Sequence, residues 1–148
     1  MTAIPDGYHS LTPHLFVDGG EEALGFYERA FGARVERKLV MDGRIMFAEL
    51  RIGDSLFTLA DPIPELGESP DPKALVSSWI TLYTEDVDAV YARALEAGAK
   101  PINEPADQFH GDRAGSLRDP FGHRWALATH TEDMSEAEMQ RRMEEAFA

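Results

Sequence analysis

The chain has 148 residues, the length of one domain, which is enough to bury roughly two thirds of its unfolded surface. Its 27 acidic and 14 basic residues give a net charge of -13, and such a surface repels phosphate backbones and anionic lipids. We therefore expect neither nucleic acid nor a membrane as a partner. The absence of cysteine excludes disulfides and thiolate chemistry. With no secretory signal pattern and no run of about 18 apolar residues, we expect a cytoplasmic protein.

The first half of the chain predicts one strand, one helix and three further strands. The β-type run LTPHLFVD starts at Leu11, and EEALGFYERAFG follows it with acids in its first turn and Gly32 after its last turn. The three strand candidates are RVERKLVM, RIMFAELRI and SLFTLAD, with a hairpin turn signal at Asp42-Gly43. The predicted order is βαβββ.

The same order of elements returns after a linker. The segment DPIPELGESPDP is rich in proline, glycine and acids, which is typical of a linker. SSWITLYT then predicts a strand, EDVDAVYARALEAGA a helix, and KPINEP, DRAGSLRD and HRWALAT three more strands. We expect one domain over 1–130, with module one at 11–61, the linker at 62–74 and module two at 75–130.

The two halves also match residue by residue. LFVD corresponds to LYTE, YERAF to YARAL, LR at Leu50 to LR at Leu117, and FTLA to WALA, at offsets between 64 and 68. Four matches in the same order at nearly one offset indicate a duplicated module.

Four segments carry a resemblance to a known family: FYERAFGA, AELRIGDS, LYTEDVDAVYARALEAGA and above all GDRAGSLRDPFGHRWALATH. Between Leu11 and His130 the chain resembles the vicinal oxygen chelate superfamily, and within it the PhnB-like branch. That superfamily includes glyoxalase I, bleomycin-resistance proteins, fosfomycin-resistance proteins and extradiol dioxygenases. The resemblance implies an α+β fold in which two βαβββ modules form curled mixed sheets around a cavity.

The resemblance also implies where a metal would be held. The family's enzymes usually bind a divalent metal through His, Glu or Gln on the first and last strands of each module. The matching positions here are Thr12, Thr58, Trp79 and Ala126, none of which is a strong metal ligand. We therefore expect no metal and no other cofactor.

Strand alternation predicts which side chains share a face with those four positions, because residues two apart point the same way. The predicted ligand-binding set combines aromatic rings that can stack on a flat organic molecule with polar groups that can orient it. It consists of His14, Phe16, Phe47, Glu49, Thr58, Trp79, Thr81, Tyr83 and Ser116.

Some of these residues have two interpretations. Trp79 is either a stacking platform for a ligand or a core side chain. His14 is either a general base, since its ordinary pKa lies near neutrality, or a hydrogen-bonded wall residue. His14 and Glu49 together could also provide two metal ligands in a different place from the family's site.

The polar stretch at 111–125 combines a strand with a turn. Gly115 stands where a strand prefers a side chain, which often marks a close approach by another group. Asp119–His123 is predicted to be a structural turn in which Pro120 presets φ and Gly122 allows the reversal, with His123 exposed.

The segment QFHGDR enters this strand from a loop. In this fold such a loop can cover the mouth of the cavity. His110, Asp112 and Arg113 are therefore either a lid or ordinary surface residues.

The last segment, 131–148, predicts a C-terminal amphipathic helix. Ser135 and Glu138 form a capping box, and Met139, Met143 and Phe147 make an apolar stripe at helical spacing. Such a stripe packs on its own domain or on a partner subunit. We expect a homodimer, which would also cover sheet edges.

Two functions from different classes are consistent with these features. In the first, the protein binds a small organic molecule in the cavity, as bleomycin-resistance members do without metal. In the second, it is a small-molecule lyase or another enzyme of the family, with a rearranged site around His14 and Glu49. The missing metal ligands and the aromatic lining favour binding, and the fold alone does not decide.

Overall fold

The computed structural model describes all 148 residues, and its elements follow the predicted order. The first module contains β1 (His14–Phe16), α1 (Gly20–Phe31), β2 (Arg34–Met41), β3 (Arg44–Ile52) and β4 (Ser55–Ala60). The second module contains β5 (Ile80–Tyr83), α2 (Val87–Ala97), β6 (Lys100–Asp107), β7 (Asp112–Arg118) and β8 (Arg124–His130), and α3 (Glu136–Ala146) follows it.

Each module forms its own four-stranded mixed sheet, and the two sheets have the same topology. The strand orders are β1-β4-β3-β2 and β5-β8-β7-β6. In each sheet the first strand of the module pairs in parallel with the last strand, and the other neighbours are antiparallel. The predicted α+β fold of two βαβββ modules is confirmed. None of the helices is long and apolar enough to cross a membrane.

The chain divides into two compact units. The first unit contains Met1–Leu75 and Pro120–His123, and the second contains Val76–Asp119 and Arg124–Ala148. The predicted linker at 62–74 thus lies entirely in the first unit, which also contains a four-residue segment from the second half of the sequence.

The first strand of each module is shorter than its sequence pattern suggested. β1 begins at His14 because Pro13 has no N–H to donate to a ladder. β5 begins at Ile80, which is the residue paired with Trp125 of β8, so Trp79 lies just before the strand.

Helix α1 packs on one face of the first sheet through apolar side chains at helical spacing. Phe26, Tyr27 and Ala30 are buried, and the Tyr27 ring lies 5.5 Å from the ring of Phe57 on β4. The helix ends at Phe31, and the C-cap residue Gly32 has a φ of 69°, which favours glycine. The opposite face of this sheet is not covered by α1.

The turn after β7 supplies a core residue to the first unit. Phe121 is only 9% exposed, and its ring centroid lies 6.2 Å from that of Phe26 and 6.3 Å from that of Tyr27. Its carbonyl oxygen accepts a hydrogen bond of 2.9 Å from the Ser69 hydroxyl. The turn is therefore structural, as its sequence indicated.

His123 departs from the prediction that it is exposed. It is half-buried, and its Nε2 lies 2.8 Å from the carbonyl oxygen of Phe16. The reason is that the turn is held by the first unit, which leaves only part of the His123 ring in contact with solvent.

Two residues fix the local structure of β7 and β8. A Cβ on Gly115 would lie 2.8 Å from the carbonyl oxygen of Asn103, so the bulged strand β6 makes the predicted close approach. Asp119 is buried and accepts a 2.9 Å hydrogen bond from the indole nitrogen of Trp125. The buried carboxylate of Asp119 is thus bonded to a core tryptophan.

Helix α3 begins as the capping signal predicted. The Ser135 hydroxyl accepts a 3.2 Å hydrogen bond from the amide of Glu138. None of the helix residues is buried, and the exposed ring of Phe147 contacts Phe109 at 5.9 Å. The apolar stripe of this helix is therefore only partly covered.

Candidate functional site

A pocket of about 550 Å³ lies in the first unit. It opens on the face of the first sheet that points away from α1, which we call the helix-free face. Its lining residues are Pro5, Asp6, Tyr8, Arg37, Phe47, Glu49 and Thr58. Three of the predicted ligand-binding residues, Phe47, Glu49 and Thr58, are among them.

The pairing of the strands aligns four polar residues in one row. His14 on β1 is the partner of Thr58 on β4, Thr58 is the partner of Glu49 on β3, and Glu49 is the partner of Arg37 on β2. Because residues opposite one another on paired strands point to the same side, the row crosses the helix-free face. Phe47 lies two residues before Glu49 on that face.

The carboxylate of Glu49 is the most buried charge in this row, with 9% of the residue exposed. It forms an ion pair with Arg37 Nε at 2.9 Å and accepts a short hydrogen bond from the Tyr8 hydroxyl. Burial and this hydrogen bond raise the pKa of Tyr8 to about 12, so its proton stays in place at neutral pH. The pocket thus contains a fixed, paired carboxylate.

His14 is held by Thr58 at the other end of the row. Its Nδ1 lies 2.7 Å from the Thr58 hydroxyl oxygen, which in turn donates at 3.4 Å to the carbonyl of Pro13. The Thr58 hydroxyl has one proton, so when it donates to Pro13 it accepts from Nδ1–H, and in that tautomer Nε2 is an acceptor. Burial lowers the pKa of His14, so the ring is neutral near pH 7.

Phe16 is on the same face but is covered by a loop of its own unit. Its ring meets His14 edge to face at 4.9 Å. A Cβ on Gly67 would collide with the Phe16 ring, which shows how closely the backbone of the 61–67 loop packs on it. Phe16 therefore forms a wall beside His14.

The four positions matching the family's metal ligands do not fit a divalent metal. Thr12 is exposed before β1, and the Thr58 hydroxyl is already bonded to His14. Trp79 offers only an N–H donor, and Ala126 offers no ligand atom. No group of three or more His, Cys, Asp or Glu side chains is placed to hold a metal anywhere in the chain.

The remaining predicted ligand-binding residues lie in the second unit. Trp79 and Tyr83 are each 59% exposed, Thr81 is exposed, and Ser116 is buried and accepts a 3.0 Å hydrogen bond from Asn103. Trp79 is not a core side chain. Thr81 and Ser116 are both cross-strand partners of Ala126, so they share the face of the second sheet that points away from α2.

The three residues predicted as lid or surface point in different directions. Asp112 is buried and accepts hydrogen bonds from Tyr83 at 2.7 Å and His130 at 2.8 Å, with His110 at 3.7 Å. Arg113 points to the other face of β7, because it bonds Asp88 at the start of α2.

The groups around Asp112 also shift one another's protonation. Burial acts to raise the pKa of Asp112, but the hydrogen bonds from His130 and Tyr83 outweigh it and hold that pKa below its ordinary value. The bonds to Asp112 and Asp133 raise the pKa of His130. The arrangement joins the end of β8 to the segment before α3, which is a structural role.

Sequence reasoning missed four lining residues of the pocket, Pro5, Asp6, Tyr8 and Arg37, of which Tyr8 and Arg37 contact Glu49. Arg37 lies on a predicted strand, but a bulge between Val35 and Arg37 changes the alternation there. Tyr8 lies before the first strand in a segment with no periodic pattern. No signal in the single sequence could have connected it with Glu49.

Comparison with known proteins shows the family. A model of the Glyoxalase/Bleomycin resistance protein/Dioxygenase superfamily matches residues 8–127. The uncharacterized protein Rv0887c of Mycobacterium tuberculosis is 38% identical over 139 residues, which are 90% of this chain and 82% of that protein.

Two solved structures share the fold. TnmS3, an antibiotic binding protein from Streptomyces sp. CB03234, has a TM-score of 0.64 at 23% identity, covering 88% of this chain and 100% of its own. A PhnB protein from Bacillus cereus has a TM-score of 0.64 at 19% identity, covering 82% of this chain and 99% of its own.

Proposed function

Because the chain belongs to the Glyoxalase/Bleomycin resistance protein/Dioxygenase superfamily, we propose that it binds a small organic molecule in the pocket of its first unit, without the family's usual metal. The observation that carries this proposal is the pocket itself, which combines the ring of Phe47 with the buried, paired carboxylate of Glu49. Its volume of about 550 Å³ lies within the usual range for small-molecule sites.

The polar groups of the pocket favour recognition of a ligand that donates hydrogen bonds. The Glu49 carboxylate has capacity for more than the two bonds it makes to Tyr8 and Arg37. A ligand amine or hydroxyl could use that remaining capacity while an apolar part packs against Phe47. That one structural neighbour is described as an antibiotic binding protein also supports binding as the role.

The alternative is an enzyme with a rearranged site around His14 and Glu49. The observation that favours it is the position of His14, a ring that is neutral near pH 7 and whose Nδ1 contacts Thr58, so that the tautomer protonated on Nδ1 has Nε2 as an acceptor. Such a nitrogen can accept a proton from a substrate. The homodimer and the cytoplasmic location expected from the sequence remain part of the proposal.

The proposal can be tested by ligand-observed NMR on EDTA-treated protein with a library of small aromatic amines and alcohols. Phe47→Ala should weaken the hits by about fivefold or more, because a stacking contact contributes on the order of 1 kcal/mol. Glu49→Gln, which keeps the shape, should weaken the amines more than the alcohols. Phe147→Ala, at an exposed ring directly after α3, is the matched control. Hits that bind the Phe47 and Glu49 variants unchanged would rule out this pocket.

A further inference from the structure

The exposed ring of Trp79 and the half-buried guanidinium of Arg124 form a cation–π pair in the second unit. The guanidinium carbon of Arg124 lies 5.0 Å from the centroid of the Trp79 ring. The indole N–H of Trp79 donates to the Thr81 hydroxyl at 3.1 Å, and 59% of Trp79 is exposed. The ring is thus held in one orientation while most of its surface meets solvent.

The charge of Arg124 is not neutralised by the chain. Its Nε is buried without a hydrogen-bond partner, and no carboxylate forms an ion pair with it. Arg37 and Arg113, by contrast, are paired with carboxylates at 2.9 Å and 2.8 Å. In a chain with 27 acidic residues and 14 basic ones, carboxylate partners are abundant. An arginine left without one is therefore a candidate for binding an external anion.

Arg124 is in cross-strand register with two further cations of the second sheet. Arg118 on β7 is its direct cross-strand partner, and Lys100 on β6 is the partner of Arg118. A bound anion would supply an acceptor to the guanidinium of Arg124.

We propose that Trp79 and Arg124 bind a small flat aromatic acid, whose ring packs on the exposed surface of Trp79 and whose carboxylate accepts hydrogen bonds from Arg124. The net charge of -13 disfavours a large polyanion, so the occupant is a small molecule. The inference extends the proposed function. It rests on that function only in assuming that ligands bind on the sheet faces that point away from the helices, here the face of the second sheet that points away from α2. It shares no residue with the pocket of the first unit.

The test is a titration of the ¹⁵N-labelled protein with 2-naphthoate, followed through the two indole N–H signals. Trp125 is 2% exposed and bonded to Asp119, so its signal is an internal reference. We expect the Trp79 signal alone to shift to saturation. The neutral isostere 2-naphthamide and the ringless anion acetate should each bind at least about fivefold more weakly.

Two variants decide whether these residues form the site. Arg124→Gln should weaken 2-naphthoate by at least about fivefold, whereas Arg93→Gln, the same charge change on the exposed surface of α2, should not. Trp79→Leu, at an exposed position, should weaken 2-naphthoate by a similar factor. Binding to this variant is followed on the ligand signals, because the variant lacks the Trp79 indole signal.

Other outcomes overturn the inference. Equal binding of the amide would remove the role of the charge, and equal binding of acetate would remove the role of the ring. If Phe47→Ala abolishes 2-naphthoate binding and Arg124→Gln does not, the probe occupies the first-unit pocket. That result would refute the present inference and leave the proposed function standing.

Discussion

At the scale of single residues, Glu49 connects three parts of the first unit. Its carboxylate joins β3 to β2 through Arg37 and to the segment before β1 through Tyr8. The resemblance to the family placed Thr58 on this face, and the strand period of two placed Phe47 and Glu49 there. It could not predict Tyr8, because a segment without periodicity carries no information about what it packs on.

Tyr8→Phe tests this connection at the level of one hydroxyl group. A hydrogen bond to a charged group contributes about 1.5–3 kcal/mol, so its loss should release the N-terminal segment. We expect the amide at position 8, which donates to the carbonyl of Pro5, to exchange with solvent about tenfold faster or more. Tyr83→Phe, which removes a comparable bond to Asp112, should leave that amide unchanged. Unchanged exchange in Tyr8→Phe would show that the bond does not hold the segment.

The pKa values of His14 and His130 should lie on opposite sides of the ordinary histidine value of about 6.5. Burial lowers the pKa of His14, and the bonds to Asp112 and Asp133 raise the pKa of His130. His130 therefore stabilises the fold below its unfolded pKa, and this contribution is lost as the pH rises through its higher folded value. His14 has the opposite pH dependence. Its contribution to stability is complete above its unfolded pKa of about 6.5 and is lost as the pH falls through its lower folded pKa. An NMR titration that gave both rings the same midpoint would contradict these assignments.

At the scale of elements, the turn at Asp119–His123 does more than reverse the chain. Its residue types predicted a turn, because proline and glycine punctuate it, but they did not predict that Phe121 enters the core of the first unit. Turn chemistry is local, whereas the burial of one side chain depends on a distant partner. The same limitation explains why His123 is less exposed than expected.

Phe121→Ala tests the contribution of that turn to stability. The ring is 9% exposed against Phe26 and Tyr27, so its removal should cost about 3 kcal/mol or more in the free energy of unfolding. Phe147→Ala removes the same ring from a position that is 78% exposed and should cost less than about 1 kcal/mol. Denaturant unfolding of both variants makes the comparison. Equal costs would mean that Phe121 is not a core residue.

At the scale of the whole molecule, the internal repeat was the most informative feature of the sequence. It predicted two modules of the same order, and both sheets have the same topology. The site was less predictable, because duplication preserves the backbone but not the chemistry. The row of His14, Thr58 and Glu49 corresponds in the second module to Thr81, Ala126 and Ser116.

The homodimer is tested by sedimentation at tens of micromolar. β2 is an edge strand, and its Leu39, Val40 and Met41 are exposed, so it is an apolar edge that a second subunit would cover. We expect a dimer in the native protein and a monomer in Val40→Lys. Leu75→Lys, at a fully exposed position outside the strands, is the control. A native protein that sediments as a monomer would refute the prediction.

We propose above that the first-unit pocket binds small molecules without the family's metal. It is tested most directly by calorimetric titration of a pocket ligand into EDTA-treated protein, and into the same protein with one equivalent of Zn, Ni, Mn or Fe. We expect the same affinity in every case and no stoichiometric metal binding. The reason is that none of the four positions matching the family's ligands fits a metal: Thr12, Thr58, Trp79 and Ala126. Binding that appears only with a metal, or a metal bound at one equivalent among those positions, would contradict metal-free binding in this pocket.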